Sequence, residues 1–88
     1  MRDFLPLGSV VSLKNAKKKI LIIGRFQICE GKPYKYSGVL YPDGFLGADN
    51  LFIFNEADIA NVDFVGFKNE EEEQYTEALK EYIESHRP

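Results

Sequence analysis

Only two side chains in the sequence combine nucleophilic or soft-ligand character with scarcity: Cys29 and His86, each present once. A structural zinc site takes four ligands at set spacings, and this pair would make at most half of one. A single cysteine forms no internal disulfide, so Cys29 reads as a small apolar residue or an incidental thiol. The glutamates at 70–73 suggest calcium by composition. Adjacent helical positions point in different directions, however, and do not build one oxygen cage. They read instead as the solvated start of a helix. Ser9, Ser12, Ser37 and Ser85 have no local base, and no phosphate-cradling glycine loop or nucleophile elbow is present. The expectation is therefore a protein that is not an enzyme and takes no metal and no cofactor, with Cys29 and His86 dispensable.

A second possible chemistry is nucleic-acid binding. Lys17, Lys18, Lys19, Arg25, Lys32 and Lys35 occur with Tyr34 and Tyr36, and small barrels hold single strands by stacking bases along such basic, aromatic grooves. Lysines at a turn are more commonly a solvated strand edge that discourages edge-to-edge pairing. Charge also speaks against it. Residues 1–68 carry nine bases and seven acids, whereas 69–88 carry two bases and seven acids, within a formal net charge of -3. The acidic tail would repel phosphate.

The elements that must position these residues follow from periodicity. At 88 residues the chain is expected to form one domain, a β-rich body over 1–68 and a helix over 69–86. Strands are predicted at 8–13, 18–28, 34–41, 51–54 and 62–67. In the second, Gly24 interrupts an apolar alternation and suggests a bulge. Pro42, Asp43 and Gly44 form the sharpest turn signal, and the following glycine loop carries Phe45 and Leu46. Asn55 to Asp58 has the form of a capped helical turn before the last strand, in which Phe64 is expected to be buried. From Asn69 the period becomes helical: Tyr75, Ala78, Leu79, Tyr82 and Ile83 form one apolar stripe. The fold class expected is α+β: an SH3-like, barrel-like antiparallel sheet of about five strands, a short helical turn before the last, and one C-terminal amphipathic helix. No signal-peptide core opens the sequence, and the apolar run from Ile20 to Gly24 is too short to cross a bilayer. A cytoplasmic protein without a membrane partner is expected.

Leu5-Pro6-Leu7-Gly8-Ser9-Val10-Val11, Ile22-Ile23-Gly24-Arg25, Tyr36-Ser37-Gly38-Val39-Leu40-Tyr41-Pro42-Asp43-Gly44, Phe54-Asn55-Glu56-Ala57-Asp58-Ile59 and Val65-Gly66-Phe67 together carry a resemblance over nearly the full length. They resemble domain-of-unknown-function family 4176. The resemblance implies a small accessory protein of Gram-positive bacteria, associated with type VII secretion genes and LXG-type toxins, and supplies no catalytic residues. It implies an adaptor or chaperone whose partner is the helical region of a secreted effector. The alternatives are an immunity protein against a cognate toxin and a small-barrel nucleic-acid module. Candidate partner-binding residues are Phe45 and Leu46 in the glycine loop, and Tyr75, Leu79 and Tyr82 on the helical stripe. Phe45 and Leu46 have a second reading, as a plug closing the end of the barrel, and the stripe a second reading as the face that docks the helix on its own sheet.

Overall fold

The computed structural model describes residues 4–86; Met1, Arg2 and Asp3, the start of the segment expected to lack a signal-peptide core, lie outside the described residues, as do Arg87 and Pro88. Five strands form one antiparallel sheet: β1 (Val10–Leu13), β2 (Lys19–Cys29), β3 (Lys32–Tyr41), β4 (Phe52–Phe54) and β5 (Ile59–Phe64). One helix, α1 (Glu70–Ser85), follows. The fold is α+β. Among the described residues, no helix is long and apolar enough to cross a membrane.

Alternation along each strand fixes the two faces of the sheet. On the inner face the rows run Val62–Val11–Ile20–Leu40, then Ile22–Gly38–Phe52, then Arg25–Tyr36–Phe54. Leu5, Val11, Ile20, Ile22, Tyr36 and Phe54 are buried there as one cluster, with Phe4, Leu13, Leu40, Ile59 and Val62 packed around it. Tyr36 is fully buried at its centre. Its hydroxyl accepts from Leu5 N–H at 2.9 Å, and its ring meets Phe4 edge-on at 6.1 Å and Phe54 tilted at 5.6 Å. A phenol held this way cannot stack a base.

The bulge expected at Gly24 is present, as a register shift between Ile22 and Gly24. A Cβ at Gly24 would collide with Ser37 Oγ, so a side chain there requires the Ser37 hydroxyl to move. The shift changes which face later residues occupy. Arg25 falls in the inner row, where simple alternation places Phe26 and Ile28. Phe26 adopts φ 55, uncommon for a bulky residue, and its ring turns toward α1 instead.

The sheet is curled and open, not a closed barrel. Its order is β4-β3-β2-β1-β5, and the edge strands β4 and β5 do not pair with each other. Four strand spacings would put the edges of a flat sheet about 19 Å apart. The connection from Phe54 to Ile59 reaches at most about 18 Å when fully extended, and part of it is wound into a 3-10 turn at Glu56–Asp58. The sheet therefore has to curl to bring its edges near. Closure fails because β4 is only three residues long and its hydrogen bonds go to β3. The 3-10 turn is held as the sequence suggested: Asp58 Oδ2 accepts from Asn55 N–H at 2.9 Å, and Asn55 Oδ1 accepts from Lys35 N–H, tying the turn to β3.

Phe64 is not buried. Strand β5 starts three residues earlier than expected, so Phe64 is its last residue and not its middle. A register shift between Val10 and Val11 leaves Asp63 as the extra residue and aligns Phe64 with Val10 in the outer row, Phe64–Val10–Leu21–Val39. Ile59 and Val62 take the inner positions, and the Phe64 ring is 61% exposed.

The outer face is knitted by charge. Asp63 accepts from Ser12 Oγ at 2.6 Å and Asn61 Nδ2 at 2.8 Å, and lies 3.2 Å from Lys19 Nζ, linking β1, β2 and β5. Asp43 pairs with Lys18 across the β3 turn. The Ser12 hydroxyl, followed by Asn61 and Lys19, holds the Asp63 carboxyl below its ordinary value, and the hydrogen bond from Lys18 does the same for Asp43. A lowered folded-state value means the unfolded chain binds these protons more readily. The stability the two carboxylates contribute is thus present above the ordinary carboxyl range and is lost as pH falls through it and below. Asp63→Asn should flatten the acid limb of a pH-dependent thermal-melting series, leaving the profile near neutrality parallel to that of the parent. An acid limb as steep as the parent's would show that Asp63 is not a source of it.

Candidate protein-binding surface

Strands β2 and β3 run on past the end of β1. Residues 24–29 of β2 pair only with β3; beyond Arg25 and Tyr36 the two strands continue alone as a two-stranded arm, and α1 packs against this end of β2. Its turn is closed by Glu30 and Gly31, both at positive φ, the backbone that a tight hairpin with matching twist requires. The helix begins where expected: Asn69 Oδ1 accepts from Glu72 N–H at 2.8 Å, and the glutamates at 70–73 occupy the first turn, favoured by the positive end of the helix dipole.

The apolar stripe is only part of what docks the helix. The most buried residue of α1 is Thr76, a polar side chain. Arg25, nearly buried at 4% side-chain exposure, reaches from the arm to Glu72 Oε2 at 2.8 Å and Thr76 Oγ1 at 3.0 Å. The same guanidinium lies 5.4 Å from the centre of the Tyr75 ring. The available signals were Gly24-Arg25, which breaks an aliphatic run with a cation, and Glu72 and Thr76 at i, i+4. Arg25→Ala removes the charged centre of this clamp. Glu72 is near enough to solvent to turn outward, so the expected loss is about 2 kcal/mol, the scale of a charged hydrogen bond. Amide exchange in 70–85 should accelerate while that of Ile20, Ile22 and Tyr36 stays slow. Uniform acceleration across helix and sheet would show that the clamp is not local.

Of the expected contact residues, the structure brings Tyr75, Leu79 and Tyr82 together. With Ala78 they form one wall of a groove of about 510 Å³, and Phe26 and Ile28 of β2 form the other. Leu79 is half-buried, whereas Tyr75, Tyr82 and Ile28 are exposed, so the stripe both docks and lines an open groove. Tyr82 meets Phe26 edge-on and stacks on His86 at 4.0 Å. His86 also caps the helix, its backbone N–H donating to the Tyr82 carbonyl at 3.1 Å. Phe45 and Leu46 do not join this groove. They sit between β3 and a 3-10 turn at Ala48–Asn50, 65% and 59% exposed, and plug nothing. The preceding turn is wider than a four-residue turn: Gly44 N–H donates to the Leu40 carbonyl at 2.8 Å, with a cis Tyr41–Pro42 bond inside it.

Two further depressions were missed. One, of about 760 Å³, lies on the other side of Arg25 and Tyr75, among Leu7, Ile23, Phe67 and Glu71. Gln27 also lines it, and Gln27 Oε1 is buried without a hydrogen-bond partner among the described residues. Its walls come from three separated segments, so no local spacing announces it. The other, of about 470 Å³, joins Val10, Leu21, Tyr41 and Phe64 on the outer face.

The basic residues do not assemble into one groove. Arg25 is bound to Glu72, Lys18 to Asp43, Lys19 to Asp63, and Lys35 to Glu56 with its ammonium near the Phe4 and Tyr36 rings. Among the described residues, no group of three or more histidine, cysteine, aspartate or glutamate side chains is placed to hold a metal ion.

Sheet, arm and helix define a small α+β domain with an apolar groove on either side of Arg25 and Tyr75, one of them bordered by Glu71 and Glu72. The family model "Domain of unknown function (DUF4176)" matches residues 4–75, and the chain belongs to that family. No curated protein and no solved structure matches it significantly.

Proposed function

We infer that this is a non-catalytic accessory protein that works by holding another protein, as an adaptor or chaperone for an LXG-type effector of a type VII secretion system. One observation carries the protein-binding part. Among the described residues, twelve large apolar or aromatic side chains are exposed, Phe45, Leu46, Phe64, Phe67, Tyr75 and Tyr82 among them. Single exposed apolar residues are ordinary, but eight of these line three concave surfaces, which marks association sites. The choice of partner comes from the secretion-gene association implied by the family resemblance, and with it a cytoplasmic place of work. The strand order, read as β5-β1-β2-β3-β4 with a 3-10 turn before the last strand, supports an SH3-like body opened at one seam.

The test is co-purification with an effector from the same locus, cut into its N-terminal export region and its C-terminal toxin domain. Capture of the export region alone is expected; capture of the toxin domain alone would make this an immunity protein. Within the captured complex, Leu46→Asp should weaken binding by about 2 kcal/mol with an unchanged melting curve, because Leu46 packs into no core. Equal affinity by calorimetry would remove the glycine loop from the contact.

A further inference from the structure

We propose that the depression between the Leu7–Ile23 side of the sheet and the start of α1 is the seat for a cationic amphipathic helix, with an apolar anchor set among Leu7, Ile23, Phe67 and Tyr75 and lysines or arginines placed against Glu71 and the negative field of the first helical turn. The helical form of the partner rests on the function proposed above; the demand for positive charge comes from this site alone. Leu7, Phe67 and Tyr75 are at least half exposed and Ile23 is 43% exposed, yet all four line one concavity of about 760 Å³. Phe67, at 77%, is the most exposed large apolar residue described. Such a site takes one ridge of an amphipathic helix, whose anchors recur at i, i+3 or i+4 and i+7.

Charge selects the kind of helix. Glu71 and Glu72 line the same depression. Glu72 is paired with Arg25, while Glu71 is exposed and enters no ion pair among the described residues; Glu70 and Glu73 lie on other faces of the helix and add only to the local field. Between 68 and 73 the chain carries one base, Lys68, and four acids. The helix dipole offsets about half a charge of this surplus. The rim therefore attracts a basic flank and repels an acidic segment, a phosphate backbone or an anionic lipid surface, giving selectivity and a salt-sensitive association rate.

The probe is a synthetic amphipathic helical peptide with leucines on one face and lysines along both flanks, compared with a twin in which glutamates replace the lysines. Both are titrated into the isotopically labelled full chain, followed by amide shifts and by calorimetry at low and high salt. The lysine peptide should shift Leu7, Ile23, Phe67 and Tyr75, bind at least about tenfold more tightly than its twin, and weaken with salt. Phe67→Asp should cost about tenfold or more, and Glu71→Lys should abolish the preference between the peptides. Phe67 packs into no core, so its variant should melt with the parent. The proposal is overturned if both peptides bind alike, if the shifts fall on Phe45 and Leu46, or if Phe67→Asp converts a dimeric parent to a monomer in sedimentation, which would make a second copy the occupant. The effector complex separates this claim from the functional one. A complex of parent protein and effector that Phe67→Asp leaves intact would overturn the site and keep the adaptor reading. A parent that binds no effector region yet docks the lysine peptide as mapped would keep the site and overturn the adaptor reading.

Discussion

Tyr36→Ala should cost about 3–5 kcal/mol of folding free energy, the range for truncating a buried aromatic side chain. The ring is fully buried and is the largest side chain in that condition. Its removal opens a cavity between the N-terminal segment, which contributes Phe4 and Leu5, and the edge strand, which contributes Phe54. It also strips the Leu5 N–H of its acceptor. Tyr36→Phe separates the two effects. It keeps the ring and orphans the buried Leu5 donor, so it should cost about 1–3 kcal/mol. Total stabilities of domains are about 5–15 kcal/mol, so the alanine variant should be close to unfolded at physiological temperature. Urea melts of both variants decide the matter. A Tyr36→Ala loss below that of Tyr36→Phe would mean the core collapses around the gap and the ring is not its centre.

Gly66→Ala should be nearly as damaging, at about 3 kcal/mol, the upper end for overpacking a filled site. Gly66 is buried and lies outside the left-handed region, so φ does not demand a glycine there. Space does. A Cβ would run into the Leu7 carbonyl oxygen and come within 2.9 Å of Ser9 N, both backbone atoms with no rotamer to yield. The same approach lets Gly66 N–H donate to Ser9 Oγ at 2.9 Å, while that hydroxyl donates to the Pro6 carbonyl at 2.7 Å. This knot joins the lead-in to β1 with the exit from β5, and it sets Leu7 and Phe67 beside one another at the proposed seat. Gly44→Ala is the comparison. Its φ of +83 is strained for alanine, but a Cβ there meets nothing, so about 1 kcal/mol is expected. Chemical denaturation of both variants should rank Gly66→Ala as the more destabilised. The reverse order would show that backbone conformation outweighs the close approach.

Both variants concern residues whose importance is invisible in local pattern, and the same division runs through the molecule. Local pattern and residue type determined the helix with its Asn69 cap, the capped turn before β5, the break at Gly24 and that there are five strands, though not where β5 begins. Each depends on interactions within a few residues, or on an alternation that any half-buried strand must show. The same local logic places Tyr75, Leu79 and Tyr82 on one helical face, which the structure then lines up along a groove.

Tertiary structure decided what each element faces. Two register shifts, at Gly24 and at Asp63, send Phe26, Ile28 and Phe64 away from the core, because one extra residue in a strand inverts every side chain beyond it. Whether the sheet closes depended on the length of β4 and the reach of the Phe54–Ile59 connection, neither of which an apolar alternation encodes. Arg25, Glu72 and Thr76 meet across 47 and 51 residues of chain to dock the helix, and no spacing rule couples positions so far apart. The acidic start of the helix at 70–73, of which Glu71 and Glu72 reach the seat, was legible as charge. That it borders an apolar seat built from Leu7, Ile23, Phe67 and Tyr75 was not, since those four come from the lead-in, β2, the exit from β5 and α1, and only the folded sheet sets them side by side.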